Sequence, residues 1–248
     1  LLLSSYATDE VTDYEVKSTV TNYLQNADAS NAAYPMAGRP LFSIYSYRWA
    51  GLDGATGDPL GYLDGEVSKD YAKIVSSATA ENILYHGPAR PTVWGAFRNT
   101  FSWKDFSVSA TLNYRLGYFI RNESIRYSSV LTGQGGHADY ARRWQKAGDE
   151  LVSQVPSLPA MSNANRDNFY LYSDVLVEKG DHIRFQDVQL SYSLDKFLRR
   201  KLPVTSAEVY FYANNLGVLW KEAKQAADPD FMEMKALKTF SGGIRIGF

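Results

Sequence analysis

The chain has 248 residues, with 26 Lys and Arg against 27 Asp and Glu and a formal net charge of −1. That balance leaves no basic stripe for a nucleic acid. The absence of Cys removes disulfides, thiolate metal sites and Cys nucleophiles together. No run approaches the roughly 18–20 apolar residues of a spanning helix, yet 18 Tyr, 12 Phe and 5 Trp make the chain rich in aromatics, a balance suited to a surface half apolar and half wet. It opens at Leu1 with no basic-then-apolar leader, so the expectation is either a signal already removed or a piece of a longer protein.

In chain order, seven segments alternate apolar and polar side chains with the period of two that marks a β-strand: residues 13–24, 41–52, 93–102, 106–118, 182–194, 207–216 and 239–248. The clearest is "FSVSATLNYRLGY", where Phe106, Val108, Ala110, Leu112, Tyr114 and Leu116 share one face and that face carries no charge. In "HIRFQDVQLSYSL" the apolar parity changes between Phe185 and Val188, which predicts a β-bulge at Gln186 and Asp187. The chain ends in "TFSGGIRIGF", with Phe240, Ile244, Ile246 and Phe248 on one parity.

The predicted links run about 16, 40, 4, 64, 12 and 22 residues, so each short link is followed by a long one. In a meander this puts tight turns at one end of the strands and long excursions at the other, the layout of an outer-membrane barrel. Aromatics gather at both predicted rims: Phe101, Trp103, Phe106 and Phe248 at the short-link end, Tyr114, Tyr118 and Phe119 at the other. A soluble antiparallel sandwich also alternates, but such long links are unusual there.

Four blocks carry a family resemblance: "GRPLFSIYSYRWAGLDGATGDP" (38–59), "PTVWGAFRNTFSWKDFSVSATLNYRLG" (91–117), the stretch from "SDVLVEKGDHIRFQDV" to "YFYANNLGVL" (173–219), and the closing "TFSGGIRIGF". Together, and in this order, they resemble the C-terminal part of SusC-like TonB-dependent outer-membrane transporters. The resemblance implies a fold that is all-β, an antiparallel transmembrane β-barrel segment of about seven strands from a barrel of roughly 22, with long extracellular loops. It implies that residues 1–248 are the C-terminal portion of the barrel, that the plug domain and TonB box lie elsewhere, and that the location is the bacterial outer membrane. The implied partners are a SusD-like lipoprotein, the TonB complex through the missing N-terminal part, the remainder of the barrel, outer-membrane lipid, and an oligosaccharide or oligopeptide cargo. On the same resemblance, Phe248 would be the aromatic signal read by the barrel assembly machinery.

The chemistry of an enzyme finds little support. His86, His137 and His182 are scattered, without metal-ligand spacing, and there is no G-x-S-x-G elbow or phosphate loop. No catalytic residue, cofactor or metal is expected. Asp53, Asp58, Asp64 and Glu66 invite calcium by their oxygen ligands, but their spacing fits no EF-hand, and Asp-Gly and Asp-Pro are ordinary turn pairs. Residues 119–181 are the best stretch for contact with substrate or lid, with Tyr127, Tyr140, Arg142, Arg143, Trp144, Tyr170 and Tyr172 among Gly, Ser and Asn. Aromatic faces stack on sugars and Arg forks bind carboxylates; equally, these side chains can pack the loop itself, and "YARRWQKAGDEL" reads as a short helix. Lys196, Arg199, Arg200 and Lys201 form a basic turn able to meet anionic head groups or simply solvent. Two other functions remain open: a non-transporting outer-membrane barrel (adhesin or barrel enzyme), and a secreted β-rich carbohydrate-binding module.

Overall fold

The computed structural model describes residues 1–16, 18–25, 34–198, 205–232 and 235–247, with side chains of 197 and 198 excepted. Regular elements follow in the order β1 (Leu2–Tyr6), α1 (Val20–Gln25), β2 (Ser43–Ser46), β3 (Gly51–Leu52), β4 (Pro59–Leu63), β5 (Glu66–Ser68), α2 (Tyr71–Ser76), β6 (Leu84–Pro88), β7 (Val93–Trp103), β8 (Phe106–Leu116), β9 (Phe119–Arg121), α3 (Tyr127–Leu131), α4 (Ala164–Leu171), β10 (Val177–Lys179), β11 (His182–Ser193), α5 (Asp195–Leu198), β12 (Ser206–Lys221) and β13 (Thr239–Gly247). None of these helices is long and apolar enough to cross a membrane. The chain divides into two compact units: residues 1–7, 91–118 and 179–248, and residues 8–90 with 119–178.

The first unit is an antiparallel sheet in the order β1-β7-β8-β11-β12-β13. It does not close, and within the described residues β1 and β13 each pair on one side only. Alternation sorts the side chains by rung: Phe101 lies opposite Val108, Val108 opposite Leu190, Leu190 opposite Phe211. Among the described residues no second layer covers this apolar face: Val108 and Leu112 are half-buried among their neighbours, while Phe101 is 64% and Ile244 66% exposed. The opposite face carries Arg98, Ser109, Thr111, Asn113, Arg184 and Gln189, tied by hydrogen bonds such as Arg98 Nη2 to Ser109 Oγ (3.1 Å) and Thr111 Oγ1 to Asp187 Oδ1 (3.1 Å). The polar face is the more buried of the two on β8, where Ser109 and Thr111 are buried.

Five of the seven predicted strands form this sheet, and the predicted bulge is at Gln186. There the pairing of β11 with both neighbours slips between Phe185 and Asp187. The extra side chain spans both neighbours, accepting from Asn113 Nδ2 (3.1 Å) and donating to Asn214 Oδ1 (2.8 Å). The sixth strand of the sheet, β1, was not predicted. Segments 13–24 and 41–52 are corrected: the first holds the helix α1, because Val20, Tyr23 and Leu24 recur at helical spacing and Leu24 is buried, and the second holds only the short β2 and β3 of the other unit. About seven strands in one sheet are therefore six. The sharp link is Lys104-Asp105 between β7 and β8, and Lys196 Nζ reaches Asp105 Oδ1 at 2.8 Å across the same end of the sheet. Phe248, Arg199, Arg200 and Lys201 lie outside the described residues.

The second unit is built from the links β1 to β7 and β8 to β11. Its core is aromatic: Tyr45, Tyr47, Tyr71 and Phe169 with Leu24, Ile74 and Ile83, and beside them Ile125, Tyr127, Val155, Tyr170 and Leu176. Arg121 fastens the two chain segments of this unit by donating to the Leu24 and Tyr45 carbonyls.

Candidate functional site

Helix α2 starts at Asp70, whose side chain caps it by accepting from Lys73 N at 3.1 Å. Its inward face carries Tyr71 and Ile74. Before it, β4 and β5 form a hairpin closed by Asp64-Gly65, both with positive φ (52° and 87°), the type I′ turn that Asp-Gly favours because Gly has no Cβ to clash. The Asp64 carboxylate is exposed and has no hydrogen-bond partner among the described residues. Together with Tyr47, Arg48, Tyr62, Ile74 and Glu81 it lines a cavity of about 570 Å³. Glu81 also lines a neighbouring cavity of about 640 Å³ rich in hydroxyls, among them Thr19, Thr21 and Thr79.

Tyr47 is 6% exposed and lines the first cavity, and its hydroxyl has no hydrogen-bond partner among the described residues. Burial, reinforced by Tyr172, pushes this phenol up to about 12, so it stays protonated at neutral pH. By contrast two other carboxylates of the 53–66 stretch, Asp53 and Asp58, are occupied. Asp53 receives Lys69 Nζ (2.9 Å) and the amides of Ala55 and Thr56, which pull its carboxyl down to about 2. Asp58 receives Arg166 Nε (3.1 Å), and Arg166, itself buried, also donates to the Ser157 carbonyl (2.8 Å). With Asp53 and Asp58 neutralised by Lys69 and Arg166, the calcium cluster suggested by 53–66 does not assemble; among the described residues no group of three or more His, Asp or Glu gathers to hold a metal ion.

The residues singled out between 119 and 181 separate into two sets. Tyr127 and Tyr170 are buried in the core: Tyr127 donates its hydroxyl to the Pro156 carbonyl, and Tyr170 shares a hydrogen bond with Ser124 Oγ (2.8 Å). Burial raises both phenols. Neither offers a free ring face. Tyr172 is half-buried beneath the Arg121 guanidinium, 4.8 Å from its ring centre. Tyr140, Arg142, Arg143 and Trp144 are at or near the surface. Arg143 lies over the Tyr140 ring at 3.9 Å, Arg142 pairs with Asp139, and the Trp144 indole donates to Glu150 Oε2 at 2.9 Å. Gly57 (φ +68°) allows that indole to approach, since a Cβ there would lie 2.3 Å from the ring. The segment 138–151 contains two 3-10 turns, Ala138–Arg142 and Asp149–Leu151, in place of one helix.

The histidines do not converge. His86 Nε2 meets Ser46 Oγ (2.7 Å), His137 Nδ1 accepts from Asp139 N (3.0 Å), and His182 is buried beside Asp230 (3.2 Å). Tyr47, Arg48, Glu81 and Arg166 were not singled out from the sequence; the one local signal for the cavity was the Asp-Gly turn in "PLGYLDGEVS", which reads as a hairpin.

No family model matches the sequence, and no curated protein matches it. Solved structures do. The RagAB peptide transporter matches with a TM-score of 0.59 at 21% identity over 89% of this chain, and the RagAB peptide importer in its closed-closed state with a TM-score of 0.60 at 22% identity over 89%. The chain shares its fold with part of those proteins. It spans 24% of the length of each, so the open sheet and its excursions correspond to about a quarter of the chains they resemble.

Proposed function

We propose that the chain is the C-terminal barrel segment of a SusC-like, TonB-dependent outer-membrane importer, with β1, β7, β8, β11, β12 and β13 as staves. The observation that carries this is the uncovered apolar face of a sheet whose other face is polar and hydrogen-bonded. Exposed apolar patches larger than a few hundred Å² are rare on monomers in water, whereas lipid accepts such a face. Strand β8 has 11 residues; at about 3.3 Å each and a tilt near 40° it rises roughly 25 Å, the height of the apolar band of outer-membrane barrels. The free edges of β1 and β13 support the reading too, because unpaired backbone groups cost several kcal/mol each in hydrocarbon; strands from the rest of the protein would pair with them.

On this reading the long links face outside, the unit of residues 8–90 and 119–178 contacts cargo and a SusD-like lipoprotein, and TonB supplies energy through a plug domain elsewhere in the protein. The chain itself performs no catalysis. The cargo is an oligosaccharide or oligopeptide, and the peptide importers among the structural neighbours favour the second. The test is fractionation of the full-length protein in its native host after carbonate extraction: recovery from the outer membrane is expected, and recovery in the soluble fraction would overturn the assignment.

A further inference from the structure

We propose that the cavity between the Asp64-Gly65 turn and the end of α2 is a subsite for a primary ammonium group, either the amino terminus of a peptide or a lysine side chain. Its biological use rests on the import reading, but binding itself does not. The lining charges are Asp64 and Glu81 against Arg48, an excess of one negative charge. Arg48 is exposed and its field acts on Asp174, while neither acidic side chain has a hydrogen bond or ion pair within the described residues. Both are exposed, whereas Asp53, Asp58, Asp70 and Asp139 in the same unit each have a Lys or Arg partner.

A third acceptor points the same way. The Tyr47 side chain, 6% exposed, lines the cavity, and its hydroxyl has no hydrogen-bond partner among the described residues, so its oxygen is available to a ligand. An ammonium has three N–H donors and no acceptor, so two carboxylates and a phenol oxygen match it in number and in charge. Tyr62 also lines the cavity, and an aromatic ring is a favourable neighbour for a cation; Leu63, Ile74 and Ala78 add apolar lining for the carbon atoms beside the amine. A neutral sugar would leave both carboxylates without a counter-charge.

The experiment is titration calorimetry on the purified full-length protein with four probes: trialanine, N-acetyl-trialanine, N-acetyl-Ala-Lys-Ala-amide and maltotriose. At least one probe with a free amine is expected to bind at least about tenfold more tightly than N-acetyl-trialanine and maltotriose, the loss expected from a charge-assisted hydrogen bond. Trialanine against the lysyl peptide tells which kind of amine is preferred. The double variant Asp64→Asn, Glu81→Gln should abolish that preference, and Tyr47→Phe should reduce it a few-fold. Asn tolerates the left-handed backbone of position 64, so the double variant retains the turn; unchanged circular dichroism and outer-membrane yield confirm folding. Equal binding of free and acetylated peptides, unchanged selectivity in the folded double variant, or no binding by any probe would overturn the subsite. A protein that fractionates with the outer membrane without amine preference loses only the subsite; a soluble protein with the preference loses only the import reading.

Discussion

Phe97→Arg separates a lipid-facing strand from a water-facing one. Phe97 lies on β7 opposite Leu112, one rung from the middle of the β7–β8 pairing, and is 42% exposed. In water, only the buried part of its surface counts, roughly 1–2 kcal/mol from the 1.5–3 kcal/mol of a fully buried large side chain. In a bilayer an Arg near the midplane adds about 2–4 kcal/mol, for a total of about 3–6 kcal/mol. Thr100 on the same strand points to the polar face, where Arg98 binds Ser109, and Thr100→Arg should cost under about 1 kcal/mol in either solvent, including a few tenths from the neighbouring Arg98. Urea titration of the full-length protein refolded into vesicles, followed by tryptophan fluorescence, measures both variants. A difference of about 2–5 kcal/mol between the two positions is expected. A difference below about 1 kcal/mol would refute the placement of this face in lipid.

Three further outcomes follow from the second unit. Phe169→Ala removes a ring with no exposed surface that packs on Tyr47 and Tyr71 with ring centres 5.8 Å away; a loss of about 3–5 kcal/mol should show as cleavage within residues 8–90 or 119–178 by limited proteolysis at temperatures where the parent resists. Gly57→Ala places a methyl in the Trp144 indole at a positive φ, costing about 2–4 kcal/mol from backbone strain and overpacking together, with a red shift of Trp144 emission as the readout in a variant lacking the other four tryptophans. His86 is held down to about 4, chiefly by burial and further by Arg121. Its neutral form is the folded one, while the unfolded chain takes up a proton near the ordinary imidazole value. Stability should therefore fall as pH drops from about 6.5 to 4, and His86→Gln should flatten that part of a denaturant-midpoint profile.

The strands β7, β8, β11, β12 and β13 were legible because each has one face free of charge, and in a sheet with different surroundings on its two sides that contrast is the period-two signal. Strand β1 was hidden by Leu1-Leu2-Leu3, where three consecutive Leu erase the alternation. Segment 41–52 misled for the opposite reason. All four residues of β2 are buried, including Ser43 and Ser46, so both faces are covered and alternation there reports nothing about sides. Strand β12 runs past the predicted end at residue 216, with Asn215 and Gly217 adopting positive φ inside the strand as an irregularity of pairing that the alternation of side chains does not carry. The cavity was the least legible part. Tyr47, Arg48, Tyr62 and Glu81 come from separate elements and share no spacing, and only the fold brings them to one wall.

The polar face of the sheet carries one more argument about its surroundings. At the end where the long links leave, Arg184 is buried and donates to Asp228 and Asp230 (3.0 Å to the latter), Arg115 reaches Asp230 at 2.5 Å, and His182 Nε2 meets the same carboxylate at 3.2 Å. These contacts pin the segment between β12 and β13 onto that face. A buried ion pair contributes little net stability compared with a hydrophobic contact of the same volume, since both charges must leave water. A cluster of this kind therefore does not explain why the sheet folds, but it does fix which way a long link turns. The charges draw the link to the polar side and away from Phe101, Phe211 and Ile244, leaving the apolar face clear. A sheet stabilised in water would gain by folding that link over its exposed apolar side chains instead, at about 25 cal/mol for each Å² covered. That the chain forgoes this gain is what a lipid-facing surface requires.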